Sequence, residues 1–256
     1  MTLIKTSTDD AVLTLTLDRP PAHAISRELV SELAERLDQI ESEPPGALVI
    51  TGAGDRFFSA GLDLLELYPL ERAELAKFAP RFLETMLRVW RLPIPVVAAV
   101  NGHAIAGGAI LALATDHRTM ARGRHVFGLN EIQVGLALPS GLLEMVRASV
   151  QPAWRARVIL EGRNLPTDDA LAAGLVEELV EPDELRARAH ERASELAKIP
   201  APVYARMKAR YRAPAERAIQ GSDDGQSFLE NWFEPDTRRV MGAIYERLRS
   251  RSGSRA

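Results

Sequence analysis

Asn101-Gly-His-Ala-Ile-Ala-Gly-Gly-Ala-Ile110 is the stretch from which the organisation of this chain is read. It follows Val96-Val-Ala-Ala-Val100, an unbroken apolar run of strand length that Asn101-Gly102 closes as a turn pair. Gly107-Gly108 then opens an apolar helix that reaches Ala114. The first N–H groups of a helix have no intrahelical acceptor and lie at the positive end of its dipole. A glycine pair there clears side chains away, so the Gly107 N–H is a ready seat for a negatively charged oxygen. The same pair also permits close helix packing, the plainer reading.

Outward from this stretch, strands and helices alternate. The alternation Val-Leu-Thr-Leu-Thr-Leu predicts a strand over 12–17, broken by Pro20-Pro21. Ser26 can cap a helix to about residue 40, with Leu29, Val30, Leu33 and Leu37 on one face. A buried-type strand over 47–51 precedes the turn Gly52-Ala-Gly54. A helical pattern over 71–90 carries Pro80, where a break or kink is expected, and Pro93 and Pro95 stop it. Short strands follow over 116–121 and 126–127. This is an α/β signature. Beyond Pro139 the pattern turns helical, over 140–149, 152–161, 167–172, 182–198, 201–217 and 222–249, with one late strand over 176–180. The expected organisation is a core over 1–200 and a helical region over 201–256, with a frayed polar end over 249–256. Phe228, Trp232, Phe233 and Tyr245 need something to pack on, either the core or a neighbouring copy. The helical region is therefore not expected to stand alone, and a homo-oligomer is expected.

The bulk numbers exclude several classes. A chain of 256 residues with 46% hydrophobic content fits one soluble globular unit with a helical extension. The formal net charge of −3 gives no general attraction to nucleic acid or anionic lipid. The absence of cysteine removes disulfides and thiolate catalysis and weighs against a structural metal, with five histidines remaining as soft ligands. No apolar run reaches the roughly 18 residues of a membrane span, and residues 1–10 carry no apolar signal region. A cytoplasmic protein with no metal or redox cofactor is the expectation.

Two more segments carry chemistry. Arg56-Phe-Phe-Ser-Ala-Gly-Leu-Asp-Leu64 leads from a strand into a turn whose small residues, 59–61, let backbone approach a ligand. The plainer reading is a tight turn with Asp63 as a helix cap. Gly128-Leu-Asn-Glu131-Ile-Gln-Val-Gly-Leu-Ala-Leu-Pro139 sets a glutamate among apolar neighbours. Burial there raises a carboxyl's pKa toward the range useful for proton transfer.

Together, in this order and about 45 residues apart, the Leu62 and Gly107 segments resemble the crotonase (enoyl-CoA hydratase/isomerase) superfamily, whose pattern looks like F-x-A-G-x-D-L followed by P-x-x-A-x-x-x-G-x-x-x-x-G-G. The resemblance runs from about Leu3 through the helical region. It implies the ClpP/crotonase-like spiral of ββα turns with C-terminal helices that build trimers, alone or as dimers of trimers (hexamers). It places the oxyanion hole on the backbone N–H groups of Leu62 and Gly107, which grip the thioester oxygen of an acyl-CoA. It assigns Ala22, Ala24, Ser59, Ala60, Ile110 and Leu136 to substrate and CoA contact. Hydratases of the family carry one glutamate where Ile110 stands and a second where Glu131 stands. The mitochondrial-type 3-enoyl-CoA to 2-enoyl-CoA isomerases keep a single glutamate at the Glu131 position, with a similar Gly-Leu-Asn-Glu context. The segment Pro20-Pro21-Ala-His-Ala-Ile-Ser26 also stands nearer that branch, except that His23 replaces a usual asparagine. The implied activity is isomerisation in fatty-acid metabolism, with Glu131 as acid and base.

Other groups are weighed beside these. His103 and Asp116 read as structural, and Glu144 as a surface residue. Glu66 is a candidate second carboxylate that would restore hydratase chemistry. Arg56, Lys77 and Lys208 are candidates for CoA phosphates, each more simply a solvated charge. The stretch 65–82 is expected to shape the acyl pocket. Competing readings are a hydratase, decarboxylase or hydrolase of the same fold, and a non-catalytic acyl-CoA-binding protein, which has no use for a buried acid.

Overall fold

The computed structural model describes residues 2–220 and 224–253. An antiparallel hairpin, β1 (Ile4–Asp9) and β2 (Val12–Leu17), opens the chain and leads into helix α1 (Arg27–Ser42). Three successive strand pairs follow, each placing one strand in each of two sheets. They are β3 (Ala47–Gly52) with β4 (Phe57–Ser59), β5 (Val96–Val100) with β6 (His103–Ile105), and β7 (His117–Ala121) with β8 (Val126–Gly128). The spiral closes with β9 (Asn164–Pro166) and β10 (Glu178–Val180). The larger sheet runs β1-β2-β3-β5-β7-β10, parallel from β2 onward; the smaller runs β4-β6-β8-β9.

Each element follows from its residues. Every residue of β3 and of β5 is buried, as parallel strands covered on both faces require. Ser26 accepts a hydrogen bond from Leu29 N at 3.0 Å and starts α1, which buries Leu29, Val30, Leu33, Leu37 and Ile40. Asn101 fastens the first two strand pairs: its Oδ1 accepts from Gly52 N at 2.9 Å and its Nδ2 donates to Phe57 O at 3.1 Å.

Between the strands lie α2 (Leu64–Leu67), α3 (Arg72–Arg91) and α4 (Gly107–Leu113). No break interrupts α3 at Pro80; Phe78, Ala79, Phe82, Leu83 and Met86 bury one face and hold the helix across the missing N–H. The later helices are α5 (Ser140–Ser149), α6 (Thr167–Ala172), α7 (Leu185–Ala197), α8 (Ala201–Ile219), α9 (Asp224–Trp232) and α10 (Pro235–Gly253). The helix expected over 152–161 is instead a 3-10 turn, Pro152–Trp154, and a π turn, Ala156–Leu160. The single helix expected over 222–249 is two, α9 and α10, with Pro235 in the first turn of the second, where its missing N–H costs nothing. Residues 222 and 223 of that expectation lie outside the described residues. The end expected to fray over 249–256 is helical through Gly253, and 254–256 also lie outside the described residues.

The last helices pack on the same chain. Trp232 and Phe228 are buried, Tyr245 stacks on Tyr68 at 5.0 Å, and the Arg72 and Arg238 guanidinium groups lie over the Phe233 ring. Asp116 ties α8 to the core: it accepts from Val96 N at 2.9 Å and pairs with Lys208 and Arg212, each at 2.7 Å. Among the described residues, no helix is long and apolar enough to cross a membrane.

Candidate active site

Two turns and one 3-10 helix meet around a cavity of about 390 Å³. The first turn follows β4. Gly61 sits at φ +83°, and a Cβ there would meet Ile105 O at 2.8 Å and Gly107 N at 3.0 Å. Only glycine allows this approach at this backbone angle. The segment is stitched to the loop before α1: Ala60 N donates to Ala22 O, Ile25 N to Gly61 O, and Asp63 N to Ile25 O. Asp63 then caps α2, accepting from Leu65 N and Glu66 N.

The second turn precedes α4. Ala106 adopts φ 50°, ψ −124°, a mirror-turn conformation costly for a residue with a Cβ. Its N–H donates to Gly128 O at 2.8 Å, which ties the turn to the strand leading toward Glu131. The strained turn starts α4 at Gly107, and Gly108 packs so closely that a Cβ on it would lie 2.3 Å from Ser59 O. Neither Leu62 N nor Gly107 N donates to an acceptor among the described residues. The two are neighbours, since a Cβ on Gly107 would lie 3.6 Å from Leu62 N. Two fixed, unspent donors on one wall suit an oxygen that gains negative charge.

The third element is a 3-10 turn, Glu131–Val134, ended by Gly135 in the left-handed region at φ 86°. Glu131 as a residue is half-buried, but its Oε2 is out of solvent with no hydrogen-bond partner. Burial pushes the carboxyl up to about 7, against a small opposing effect of its own backbone N–H. A buried oxygen left unpaired costs stability, which marks it as a group awaiting a partner.

The cavity gathers most of the residues singled out in sequence: Ala22, Ala24, Ala60, Leu62, Gly107, Ile110, Glu131 and Leu136 all line it. Ile110 is fully buried and presents only an aliphatic surface. Ser59 does not line the cavity. It stands behind the wall, donating from Oγ to His23 O at 2.8 Å and accepting from Gly61 N at 3.3 Å. Leu65 and Phe82, the ends of the expected pocket-shaping stretch, both reach the cavity.

The remaining candidates are tied elsewhere. Glu66 is outside the lining and is paired with Arg27 at 2.8 Å. Asp63 lines the cavity, but its Oδ2 is held by Arg19 at 2.6 Å. Lys208, a candidate for a phosphate, is buried against Asp116 and Ile94 O. Arg56 and Lys77 are exposed. His103 accepts from Val126 N at 3.1 Å, and Asp116 and Glu144 are ion-paired. His23 takes the left-handed conformation at φ 48°, accepts from Arg19 N at 3.0 Å and donates to Ala53 O at 2.9 Å. Histidine shares with asparagine an enrichment at positive φ, so it suits this position.

Sequence reading missed the far wall: Phe228, Ile244 and Leu248, from α9 and α10. Their helical spacing signals burial but not against what. Among the described residues, no cluster of His, Asp or Glu is arranged to hold a metal ion.

Comparison with known proteins agrees with this architecture. The family model described as enoyl-CoA hydratase/isomerase matches residues 7–250. A carnitinyl-CoA dehydratase of Escherichia coli O157:H7 is 34% identical over 213 residues, covering 83% of this chain and 81% of that protein. The human mitochondrial delta3-delta2-enoyl-CoA isomerase superposes with a TM-score of 0.92 at 27% identity, covering 98% of this chain and 99% of the other. A probable enoyl-CoA hydratase of Mycobacterium tuberculosis superposes with a TM-score of 0.82 at 30% identity, covering 88% of this chain and 95% of the other. Paired turns with free N–H groups, the two-sheet spiral and these matches lead to one statement: the chain belongs to the enoyl-CoA hydratase/isomerase family and has the crotonase fold.

Proposed function

We propose that this protein is an enoyl-CoA isomerase that converts a 3-enoyl-CoA to a 2-trans-enoyl-CoA. The observation that carries the reading is the carboxylate inventory of the cavity. Its lining holds Asp63, spent on Arg19, and Glu131, whose Oε2 is unpartnered, while Ile110, which by the sequence resemblance stands where hydratases carry another glutamate, is aliphatic.

The chemistry closes with one acid. The thioester oxygen sits against Leu62 N–H and Gly107 N–H. Glu131 takes a proton from C2; the C–H electron pair spreads over oxygen, C2 and C4 as a dienolate, and the two donors stabilise the charge. The same carboxyl returns the proton to C4. No water is consumed, and Ile110 keeps water from C3. Ala22, Ala24, Ala60 and Leu136 contact the substrate, with Ser59 supporting the wall from behind. No metal or redox cofactor enters the scheme.

Hydration or dehydration is the second reading, favoured by the 34% identity to a carnitinyl-CoA dehydratase. It calls for a second acid, and the two candidates are both engaged, Asp63 by Arg19 and Glu66 by Arg27. We also propose a homotrimer, alone or as a dimer of trimers, working in the cytoplasm without nucleic-acid or membrane partners.

A paired assay separates the readings. Purified protein given 3-hexenoyl-CoA should raise the absorbance of the conjugated thioester, and given crotonyl-CoA should leave it unchanged. Loss of crotonyl-CoA absorbance at comparable efficiency establishes a hydratase instead. Glu131→Gln should abolish the isomerisation; full retained activity removes Glu131 from the mechanism.

A further inference from the structure

Glu131 and the two N–H donors stand on different elements, so catalysis needs something to hold them in register. The segment after Glu131 is gripped from α9 and α10. Ala137 N donates to Asn231 Oδ1 at 2.7 Å, and Thr237 Oγ1 donates to Gly135 O at 2.7 Å. Asn231 Nδ2 donates to Thr237 Oγ1 at 3.2 Å, locking the two grips together. Between them, Leu136 N donates to Glu131 O at 2.9 Å, so the gripped backbone is bonded directly to the glutamate. Thr237 is 3% exposed, and a Cβ on Gly135 would come within 3.1 Å of its Cα.

The next residue reaches the other way. Arg238 Nη1 donates to Tyr68 O at 2.8 Å, its guanidinium lies 3.8 Å above the Tyr68 ring, and Tyr68 Oη donates back to Arg238 O at 3.3 Å. Tyr68 ends α2, the short helix that Asp63 caps directly after Leu62. Two consecutive residues on the first turn of α10 thus hold the backbone beside the carboxylate and the backbone beside an oxyanion donor. Further along, Ile244 and Leu248 of the same helix line the cavity.

We propose that the first turn of α10 is a brace across the cavity, and that Asn231, Thr237 and Arg238 are positioning residues that set the Glu131 carboxylate against the Leu62 and Gly107 N–H groups. This rests on the reading of Glu131 given above. The brace touches no reacting atom; it acts through backbone at both ends. A misplacement of about 1 Å at a reacting group costs about a hundredfold in rate, so a slack brace lowers turnover more than binding.

The test compares Thr237→Val, Thr237→Ser, Asn231→Ala and Arg238→Met in the full chain, below the melting temperature of each. Turnover of 3-hexenoyl-CoA is read beside calorimetric binding of the unreactive hexanoyl-CoA. Expected are a kcat loss of about tenfold or more for Thr237→Val and Arg238→Met, hexanoyl-CoA affinity within about twofold, and near-normal turnover for Thr237→Ser. Because either anchor alone is insufficient, Thr237→Val/Arg238→Met should lose less than the product of the single losses. Unchanged kcat in the folded variants, or kcat and affinity falling together, overturns the brace. If Thr237→Val does not fold, Arg238→Met, which keeps an unbranched apolar stem over Tyr68, decides the question by the same readout. Activity retained by Glu131→Gln would mean the failure lies with the reading of Glu131; an inactive Glu131→Gln beside normal brace variants sinks the brace alone.

Discussion

Among the described residues no cation shifts Glu131, so its proton affinity comes from lost solvation, and the sign of two effects follows. As a base it must be ionised in the free enzyme. kcat/KM for isomerisation should therefore rise with pH, bend near the value of about 7 and level off above it. A flat profile across that range would exclude Glu131 as the base. The same shift bears on folding. The folded-state value lies above the ordinary 4.5, so ionisation opposes folding: the cost is absent below about 4.5, grows through the interval and is complete above about 7. Glu131→Gln should then be more stable than its parent above about pH 8, by at most about 3 kcal/mol, and lose the advantage near pH 4, as urea melts would show. Much of this site was legible in the sequence. Gly61 and Gly108 are demanded by close backbone approach, and Glu131 stands out as an acid among apolar neighbours. Phe228, Ile244 and Leu248 were not legible, because a side chain that packs across more than a hundred residues leaves only a mark of burial.

Among the elements, α4 shows how packing fixes a donor. The Gly108 contact with Ser59 O, 2.3 Å from where a Cβ would stand, sets how near the helix start lies to the β4 turn. Gly108→Ala forces these apart. It should cost about 1–3 kcal/mol of stability and about a hundredfold in kcat through the displaced Gly107 N–H. Gly54→Ala is the control: φ +71° strains an alanine, but nothing lies within 4 Å of its Cβ, so stability falls by about 1 kcal/mol while turnover holds. Measuring equal kcat losses in both would detach the packing argument from catalysis. Sequence pattern anticipated α1, β3 and β5, whose apolar periods span five residues or more. It missed β1, whose polar residues show no apolar period, and β4, β6 and β9, since three residues carry no period and are ordered by their neighbours. A break at Pro80 is not found, because a deeply buried helix face outweighs one missing hydrogen bond.

At the scale of the whole molecule, an apolar stripe on α8 is left uncovered. Ile199, Val203, Met207 and Tyr211, four residues apart on and before α8, are 40%, 44%, 60% and 75% exposed. Side chains so placed favour association of copies. Sedimentation equilibrium should give a trimer or hexamer, and Met207→Glu with Tyr211→Glu should shift it toward monomer; an unchanged mass would put the contact elsewhere. On the inner side of the same helix, Lys208 and Arg212 converge on Asp116, which also holds the start of β5. Those two cations are what make an acid tolerable at that depth. A chain shortened before α8 would lose both cations and the cover over Asp116 together, leaving the start of β5 open to water. The late helices thus neutralise a charge set among the early strands.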